Sequence, residues 1–170
     1  MAAKETDQFN SRPTTFIEVA GTSLKAALDV ARKFGCVTDS VLPFAPPHLY
    51  QGSPREFYAL ASKLRVESYT NLGRNTQSWK EWLANNGPIL TRLDVDQTWY
   101  EAADNNGNLD HYYPPIQPAG HAIALVGYLG DRFIVRNSWG TSWGDQGFAY
   151  ASTEYARDAF TEAYGVSVAG

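Results

Sequence analysis

The sequence predicts an α+β fold, with helices in the first half of the chain and an antiparallel sheet in the second. Apolar residues recur at helical spacing early in the chain, over residues 23–34. From residue 121 onwards, β-like runs follow one another and are joined by Gly-rich turns. The 170 residues are 44% hydrophobic and 14% aromatic, which is enough for a sizeable core.

The first predicted helix covers residues 23–34. Thr22 or Ser23 can cap it, and Gly35 ends it. An extended loop is predicted over residues 41–52, because its several prolines cannot all lie inside a helix. The apolar face of the helix contains Leu24, Ala27, Leu28, Ala31 and Phe34.

A second helix is predicted to begin at Pro54. Ser53 and Glu56 form a capping box there, and proline suits the first helical position. Residues 66–72 then have the composition of a strand. The buried face of this helix is expected to contain Phe57, Leu60, Ala61 and Leu64.

A third, short helix and five further strands are predicted downstream. Ser78 and Glu81 form another possible capping box, and the helix that they open ends at Gly87 and Pro88. A strand follows, since Ile89, Thr91, Leu93 and Val95 alternate with polar positions. The other strand candidates are residues 121–128, 132–137, 147–152 and 164–169.

Composition excludes several classes of function. The net charge is −4 without a basic patch, so nucleic acid is not an expected partner. No apolar run approaches the roughly 18 residues that a membrane span needs. No apolar signal-peptide region is visible near the N-terminus and the chain has one cysteine, Cys36, so a cytoplasmic location is expected. Neither His48 nor His111 has partner spacing typical of a metal site, so no metal or other cofactor is expected.

His121 and Asn137 are the candidate catalytic residues. Imidazole can take and return a proton near neutral pH, and an amide oxygen can accept from one ring nitrogen and fix its orientation. A hairpin through residues 129–131 would bring the two side chains together. The alternative is a polar histidine at a strand end and an asparagine in a turn.

Two tryptophans, Trp139 and Trp143, follow Asn137 closely. Indole rings beside a His–Asn hydrogen bond would keep water away and strengthen it. The alternative is that both rings are ordinary core aromatics.

The stretch from residue 120 to 148, "GHAIALVGYLGDRFIVRNSWGTSWGDQGF", resembles the C-terminal half of papain-family cysteine peptidases. The histidine motif, the N-S-W-G-x-x-W-G motif and the spacing between them agree together. "GTSLKAALDVARKFG", "SVLPF" and "WLANNGPILTRLDV" resemble upstream family segments in the same order, so the resemblance covers residues 20–169. The last stretch, from "GFAYASTEYARDAF", is similar to a short, disulfide-poor microbial branch.

The resemblance implies a papain-like fold in two parts. Residues 1–66 would form an N-terminal arm and a truncated helical lobe, and residues 67–170 a barrel-like, β-rich lobe that carries the His and Asn motifs. It also implies that His121 is the catalytic base, that Asn137 orients it, and that Trp139 and Trp143 support the pair. The implied substrate-binding residues are Gly21, Thr22, Leu24, Ala119, Gly120 and Ala122.

The nucleophile of the family has no counterpart in these residues. The family cysteine lies in a C-G-[SA]-C-[WY] context about 130–150 residues before the histidine, and that position falls before Met1. Cys36 follows a predicted helix, and the C-terminal end of a helix disfavours a thiolate. We therefore expect that the 170 residues alone do not hydrolyse peptides.

Three functions remain open at this point. The chain is part of a cysteine peptidase whose nucleophile comes from another segment or chain, or it is a non-catalytic papain-like subunit that binds peptide or protein. The third alternative is an enzyme that uses His121 in different chemistry. Because the nucleophile helix of the family is absent as well, the apolar face of residues 23–34 would be uncovered, which predicts a partner chain or self-association.

Overall fold

The computed structural model describes residues 21–43 and 50–168; the predicted N-terminal arm lies outside these ranges. The described residues fall into two compact units. The first runs to Ser68 and also includes Ser167 and Val168, and the second is Tyr69–Val166.

The first unit contains helices α1 (Leu24–Lys33) and α2 (Pro54–Ala61). The Ser23 hydroxyl caps α1 by accepting from the Ala26 amide, as the sequence predicted. Gly35 ends the helix with φ +90°, and a Cβ there would lie 1.8 Å from the Ala61 carbonyl oxygen. The glycine is therefore required both for its backbone conformation and for the close approach of the two segments. Of the predicted face, Leu24 and Leu28 are buried, and Ala26 is buried where Ala27 was expected.

Helix α2 begins with the predicted capping box. Ser53 Oγ accepts from the Glu56 amide, and the Glu56 carboxylate accepts from the Ser53 amide. The prediction that Leu64 is buried is wrong, since 51% of this side chain is exposed. Helix α2 ends at Ala61, so Leu64 lies in the following turn and no longer on the helical face.

The sheet has seven strands in the order β1-β7-β2-β4-β5-β6-β3. Strand β4 pairs antiparallel with β2 on one side and with β5 on the other, and the β4–β5 pair forms the predicted hairpin. The strands are β1 (Val66–Asn71), β2 (Ile89–Asp94), β3 (Asn108–Leu109), β4 (Gly120–Leu129), β5 (Arg132–Arg136), β6 (Phe148–Ser152) and β7 (Phe160–Val168).

Three helices accompany the sheet: α3 (Thr76–Asn85), α4 (Gln97–Tyr100) and α5 (Thr153–Ala159). The predicted start of α3 at a Ser78 capping box is wrong. Asn75 is the N-cap, and its side-chain oxygen accepts from the amides of Gln77 and Ser78. Ser78 therefore lies inside the first turn of the helix.

The core of the second unit lies on one face of the sheet. Alternate residues of β2 are buried, as their spacing predicted, and the positions between them are half-buried. Its largest fully buried side chains are those of Trp79, Trp99, Tyr155, Phe133, Phe160, Ile89, Leu93, Leu109 and Leu125.

Four features of the second unit were not predicted. Helices α4 and α5 and the short strand β3 had no counterpart among the predicted elements, and β7 begins at Phe160 rather than at residue 164. Strand β3 pairs with β6 in parallel, so the sheet is not wholly antiparallel. Within residues 21–43 and 50–168, no helix is long and apolar enough to cross a membrane.

Candidate active site

His121 is positioned by strand β4. It is the second residue of the strand and lies opposite Leu93 of β2 in the antiparallel register. Because side chains alternate along a strand, His121 lies on the same face as Ile123 and Leu125, which are buried in the core. The imidazole is half-buried at the edge of this core.

Asn137 is positioned by the end of strand β5. Its backbone amide donates to the Gly147 carbonyl oxygen at 3.0 Å, and only 8% of the residue is exposed. The side-chain Oδ1 of Asn137 lies 2.7 Å from Nε2 of His121. The predicted pairing of these two side chains across the hairpin is confirmed.

The hydrogen bonds of Asn137 determine which imidazole nitrogen carries a proton. Oδ1 also accepts from the backbone amide of Ser138 at 2.8 Å. An amide N–H can only donate, so the Asn137 atom facing both Ser138 and His121 is the oxygen. Nε2 of His121 must therefore donate, which leaves the lone pair of the neutral ring on Nδ1. The ring is arranged to accept or return a proton at Nδ1.

Tryptophan rings surround the imidazole. Trp139 packs directly against His121, with ring centroids 4.9 Å apart, and 41% of it is exposed. Trp143 is buried and packs against Trp99 at 4.5 Å, while its indole N–H donates to the Trp99 carbonyl oxygen at 2.9 Å. Trp139 thus covers the dyad itself, and Trp143 supports it through Trp99.

Trp99 is the site residue that sequence reasoning missed. It is fully buried in helix α4, and its ring lies 5.8 Å from that of His121 at 70° and 6.2 Å from that of Trp139 at 89°. A four-residue helix has no measurable apolar period, so periodicity does not detect it. The available signal was Asp96, an N-cap residue type three positions before the tryptophan.

The predicted substrate-binding residues of the second unit, Ala119, Gly120 and Ala122, are exposed at and beside the start of β4. The Arg92 guanidinium lies over Gly120, and a Cβ at that position would be 2.6 Å from Arg92 Nη2. Arg92 also donates to Asp94 and to Thr161. Absence of a side chain at residue 120 therefore lets an arginine reach the backbone beside the histidine.

The other predicted substrate-binding residues, Gly21, Thr22 and Leu24, belong to the first unit. Gly21 is exposed, Thr22 is half-buried, and Leu24 is buried in α1. Their roles in substrate binding stay predictions.

Cys36 has an environment that disfavours a thiolate. It follows the C-terminal end of α1, and its amide donates to the Leu64 carbonyl oxygen. Partial burial raises the pKa of its thiol above the ordinary value. An activated cysteine needs the opposite shift.

No cluster of three or more His, Cys, Asp or Glu side chains is arranged to hold a metal ion in the part of the chain that the structure describes. His111 lies 3.8 Å from the Glu154 carboxylate, and both side chains are exposed.

Comparison with known proteins identifies relatives of this chain. Residues 14–166 match the family described as papain family cysteine protease. Macrodontain-1 of Ananas macrodontes is 31% identical over 121 residues, which are 67% of this chain and 51% of that protein. Cathepsin F of Mus musculus is 32% identical over 111 residues, covering 59% of this chain and 23% of that protein. The chain therefore spans about half or less of the length of these relatives.

Solved structures have the same fold. Xylellain, a cysteine protease from Xylella fastidiosa, superposes with a TM-score of 0.69 at 21% identity, covering 88% of this chain and 63% of that one. The Carica candamarcensis cysteine protease CMS1MS2, in complex with E-64, superposes with a TM-score of 0.64 at 18% identity, covering 86% of this chain and 68% of that one. The predicted papain-like α+β fold is confirmed, whereas the microbial branch stays a prediction. By the extent of the family match, the chain belongs to the papain family of cysteine proteases.

Proposed function

We propose that this chain supplies the imidazole–amide half of a cysteine peptidase site, and that the thiolate comes from a segment outside these 170 residues. The observation that carries the proposal is the 2.7 Å contact between His121 Nε2 and Asn137 Oδ1 in a papain-family fold. Because Nε2 donates in this contact, the lone pair of the neutral ring is on Nδ1, where it can take the proton of a cysteine thiol.

Each proton transfer of the proposed reaction then uses Nδ1 of His121. With the thiol proton on Nδ1, the ring is an imidazolium whose Nε2–H is held by Asn137. The thiolate attacks the peptide carbonyl, and Nδ1–H protonates the departing amine. In the second half, neutral Nδ1 removes a proton from the water that attacks the acyl-enzyme; the C–S bond breaks, and the departing thiolate again faces an imidazolium. Trp139 covers the His–Asn hydrogen bond throughout and limits access of water to it.

The only cysteine of the chain does not suit the role of nucleophile. Cys36 lies at the C-terminal end of a helix, and burial raises the pKa of its thiol. Without a thiolate, the covalent route has no first step. We expect the purified 170-residue chain to leave peptides intact.

The test is a fluorogenic peptide assay on the purified chain, with His121→Ala and Cys36→Ser as variants. Hydrolysis by the chain alone that is abolished by His121→Ala but retained by Cys36→Ser would contradict the proposal of an external nucleophile. Loss on Cys36→Ser would instead assign the nucleophile to Cys36. The supporting result is hydrolysis that appears only when a segment with a C-G-x-C-W sequence is supplied, and that again requires His121.

A partner segment is part of the same proposal. The match to xylellain covers 88% of this chain but 63% of that protein, so the relative contains substantial chain that these residues do not match. In the first unit, Tyr58 and Leu64 are exposed. We expect this unit to bind the missing segment or a second copy of the chain. A monomer by light scattering, together with no binding of the cysteine-bearing segment, would contradict this expectation.

A second candidate is a papain-like subunit that binds peptide or protein without cleaving it. The raised pKa of the Cys36 thiol favours this candidate, because it disfavours the thiolate that cleavage needs. The predicted substrate-binding residues can bind an extended ligand without a thiolate. Peptide binding that persists in His121→Ala, with no turnover after any cysteine-bearing segment is added, would support this candidate. In either case peptide or protein is the proposed ligand, and a cytoplasmic location remains part of the proposal.

A further inference from the structure

Asp96 is a buried carboxylate that the proposed chemistry does not use. Only 1% of the residue is exposed, although aspartate is seldom buried to this extent without partners. It occupies the N-cap of α4, the single turn that carries Trp99.

Both oxygens of Asp96 accept hydrogen bonds, and the donors come from three segments. Oδ1 accepts from the Trp99 amide at 3.1 Å and from the Tyr155 hydroxyl of α5 at 2.7 Å. Oδ2 accepts from the Tyr113 amide at 3.0 Å, in the segment that leads into strand β4. One side chain therefore joins α4 to α5 and to the chain that precedes His121.

The turn held in this way places an aromatic ring against the imidazole. The Trp99 ring is 5.8 Å from that of His121 and 4.5 Å from that of Trp143, and the Trp99 carbonyl oxygen accepts from the Trp143 indole. A four-residue helix is too short to be stable by itself, so its position depends on tertiary contacts. The Asp96 hydrogen bonds hold its first turn, together with the Thr98 hydroxyl, which donates to the His111 carbonyl oxygen.

We propose that Asp96 is a positioning residue for His121, acting through the Trp99 indole that its three hydrogen bonds hold in place. The proposal rests on the proposed function only in treating His121 as the functional base. Asp96 itself touches neither the ring nor a substrate.

The key variant is Asp96→Asn, which keeps the shape of the side chain and tests its hydrogen bonding. An asparagine can still accept through its one oxygen. Its NH₂ group, which can only donate, would replace the other oxygen and face a backbone N–H or a hydroxyl that needs an acceptor. Tyr155→Phe is the milder variant, because it removes one donor and leaves the carboxylate with two backbone amides. If Asp96→Asn fails to fold, Tyr155→Phe still tests the proposal.

Two control variants separate positioning from charge and from general stability. Asp110→Asn removes the same charge elsewhere in the second unit, where the exposed carboxylate pairs with Arg132. Ile89→Val trims a fully buried side chain of the same sheet, opposite Leu125 and away from the histidine.

The measurement is NMR of the His121 ring in the full chain, by the shifts of its carbon-bound protons and the water exchange of its Nε2–H. In Asp96→Asn we expect the ring-proton shifts to change and the exchange to rise about tenfold, because an unpaired buried polar group favours local opening. Tyr155→Phe is expected to give a smaller change in the same direction. Both control variants are expected to show wild-type His121 signals.

Wild-type His121 signals in Asp96→Asn, despite a lower urea midpoint, would overturn the proposal and reduce Asp96 to a structural role. Equal changes in Asp110→Asn would also overturn it, in favour of a charge effect. If the wild-type chain has no protected Nε2–H, the His121–Asn137 pair of the proposed function fails instead. The ring-proton shifts then still decide the role of Asp96.

Discussion

At the scale of single residues, the state of His121 depends on one amide oxygen. Oδ1 of Asn137 accepts from both the His121 ring and the Ser138 amide, and the whole residue is buried. The oxygen is thus fixed by a backbone donor that cannot move independently of the chain. The imidazole acquires one tautomer through a neutral hydrogen-bond acceptor.

Removing this oxygen should allow the neutral His121 ring to adopt both tautomers. In Asn137→Ala, Nε2–H of His121 loses its acceptor, so we expect the neutral ring to populate both tautomers and the free energy of unfolding to fall by about 1–3 kcal/mol. Imidazole ¹⁵N shifts measure the tautomer, and exposed His111 in the same sample is the internal reference. An unchanged Nε2–H tautomer in the variant would contradict this assignment.

Cys36 gives a second prediction at this scale. Since burial raises the pKa of its thiol, the thiolate fraction at neutral pH is lower than in an ordinary cysteine. The rate of alkylation by iodoacetamide should therefore reach half its maximum above about pH 8.5, the ordinary value for the thiol. Free N-acetylcysteine under the same conditions is the control. A midpoint below that of the control would indicate an activated thiol.

At the scale of elements, the sequence predicted what depends on periodicity and spacing. Helices α1 and α2, the alternation of β2 and the β4–β5 hairpin follow from local pattern, and the hairpin was enough to pair His121 with Asn137. Helix α4 was missed because one turn has no period. The contact of Trp99 with His121 is between chain positions far apart, and no local pattern encodes it.

The error at α3 shows how capping residues compete. The sequence offers both Asn75 and Ser78 as N-cap residues, and the side chain that reaches the amides of the first turn belongs to Asn75. Starting the helix there adds residues to α3 and keeps Trp79 in its first turns, where it packs against Phe133 and Phe160. Of the two locally acceptable starts, the helix uses the one whose cap accepts from two amides of the first turn.

This choice can be tested with matched variants. Asn75→Ala should lower the free energy of unfolding by about 1 kcal/mol, because two amides lose their acceptor. Ser78→Ala should change it by no more than a few tenths, since serine inside a helix contributes no cap. Urea unfolding measures both. A larger loss in Ser78→Ala than in Asn75→Ala would restore the start predicted from the sequence.

At the scale of the whole molecule, the second unit combines the candidate catalytic residues with the buried polar residues that the structure describes. Thr91, Asp96 and Asn137 are its buried polar or charged residues among those that the structure describes. All five tryptophans lie in this unit, so their fluorescence reports its unfolding alone. The stability of this unit can therefore be measured as a function of pH.

High pH should unfold this unit through Tyr155. Burial, the nearby Asp96 charge and the hydrogen bond to Asp96 raise the pKa of Tyr155 far above its ordinary value. A group with a raised pKa in the folded state contributes its stability below the unfolded pKa, here about 10, and loses it as pH rises further. We expect the free energy of unfolding to fall by about 1.4 kcal/mol for each pH unit above 10 from this residue.

Tyr155→Phe separates this effect from other ionisations. The variant should be less stable at neutral pH, because Asp96 loses a donor, yet its stability should fall less steeply above pH 10. Tyr150→Phe is the matched control: its hydroxyl also donates to a carboxylate, that of Asp145, but near the surface, so the alkaline slope should stay close to wild type. Urea midpoints from tryptophan fluorescence between pH 7 and about 12 provide the comparison. An alkaline slope in Tyr155→Phe as steep as in the wild type would mean that the Asp96–Tyr155 hydrogen bond is not the pH-sensitive contact of this unit.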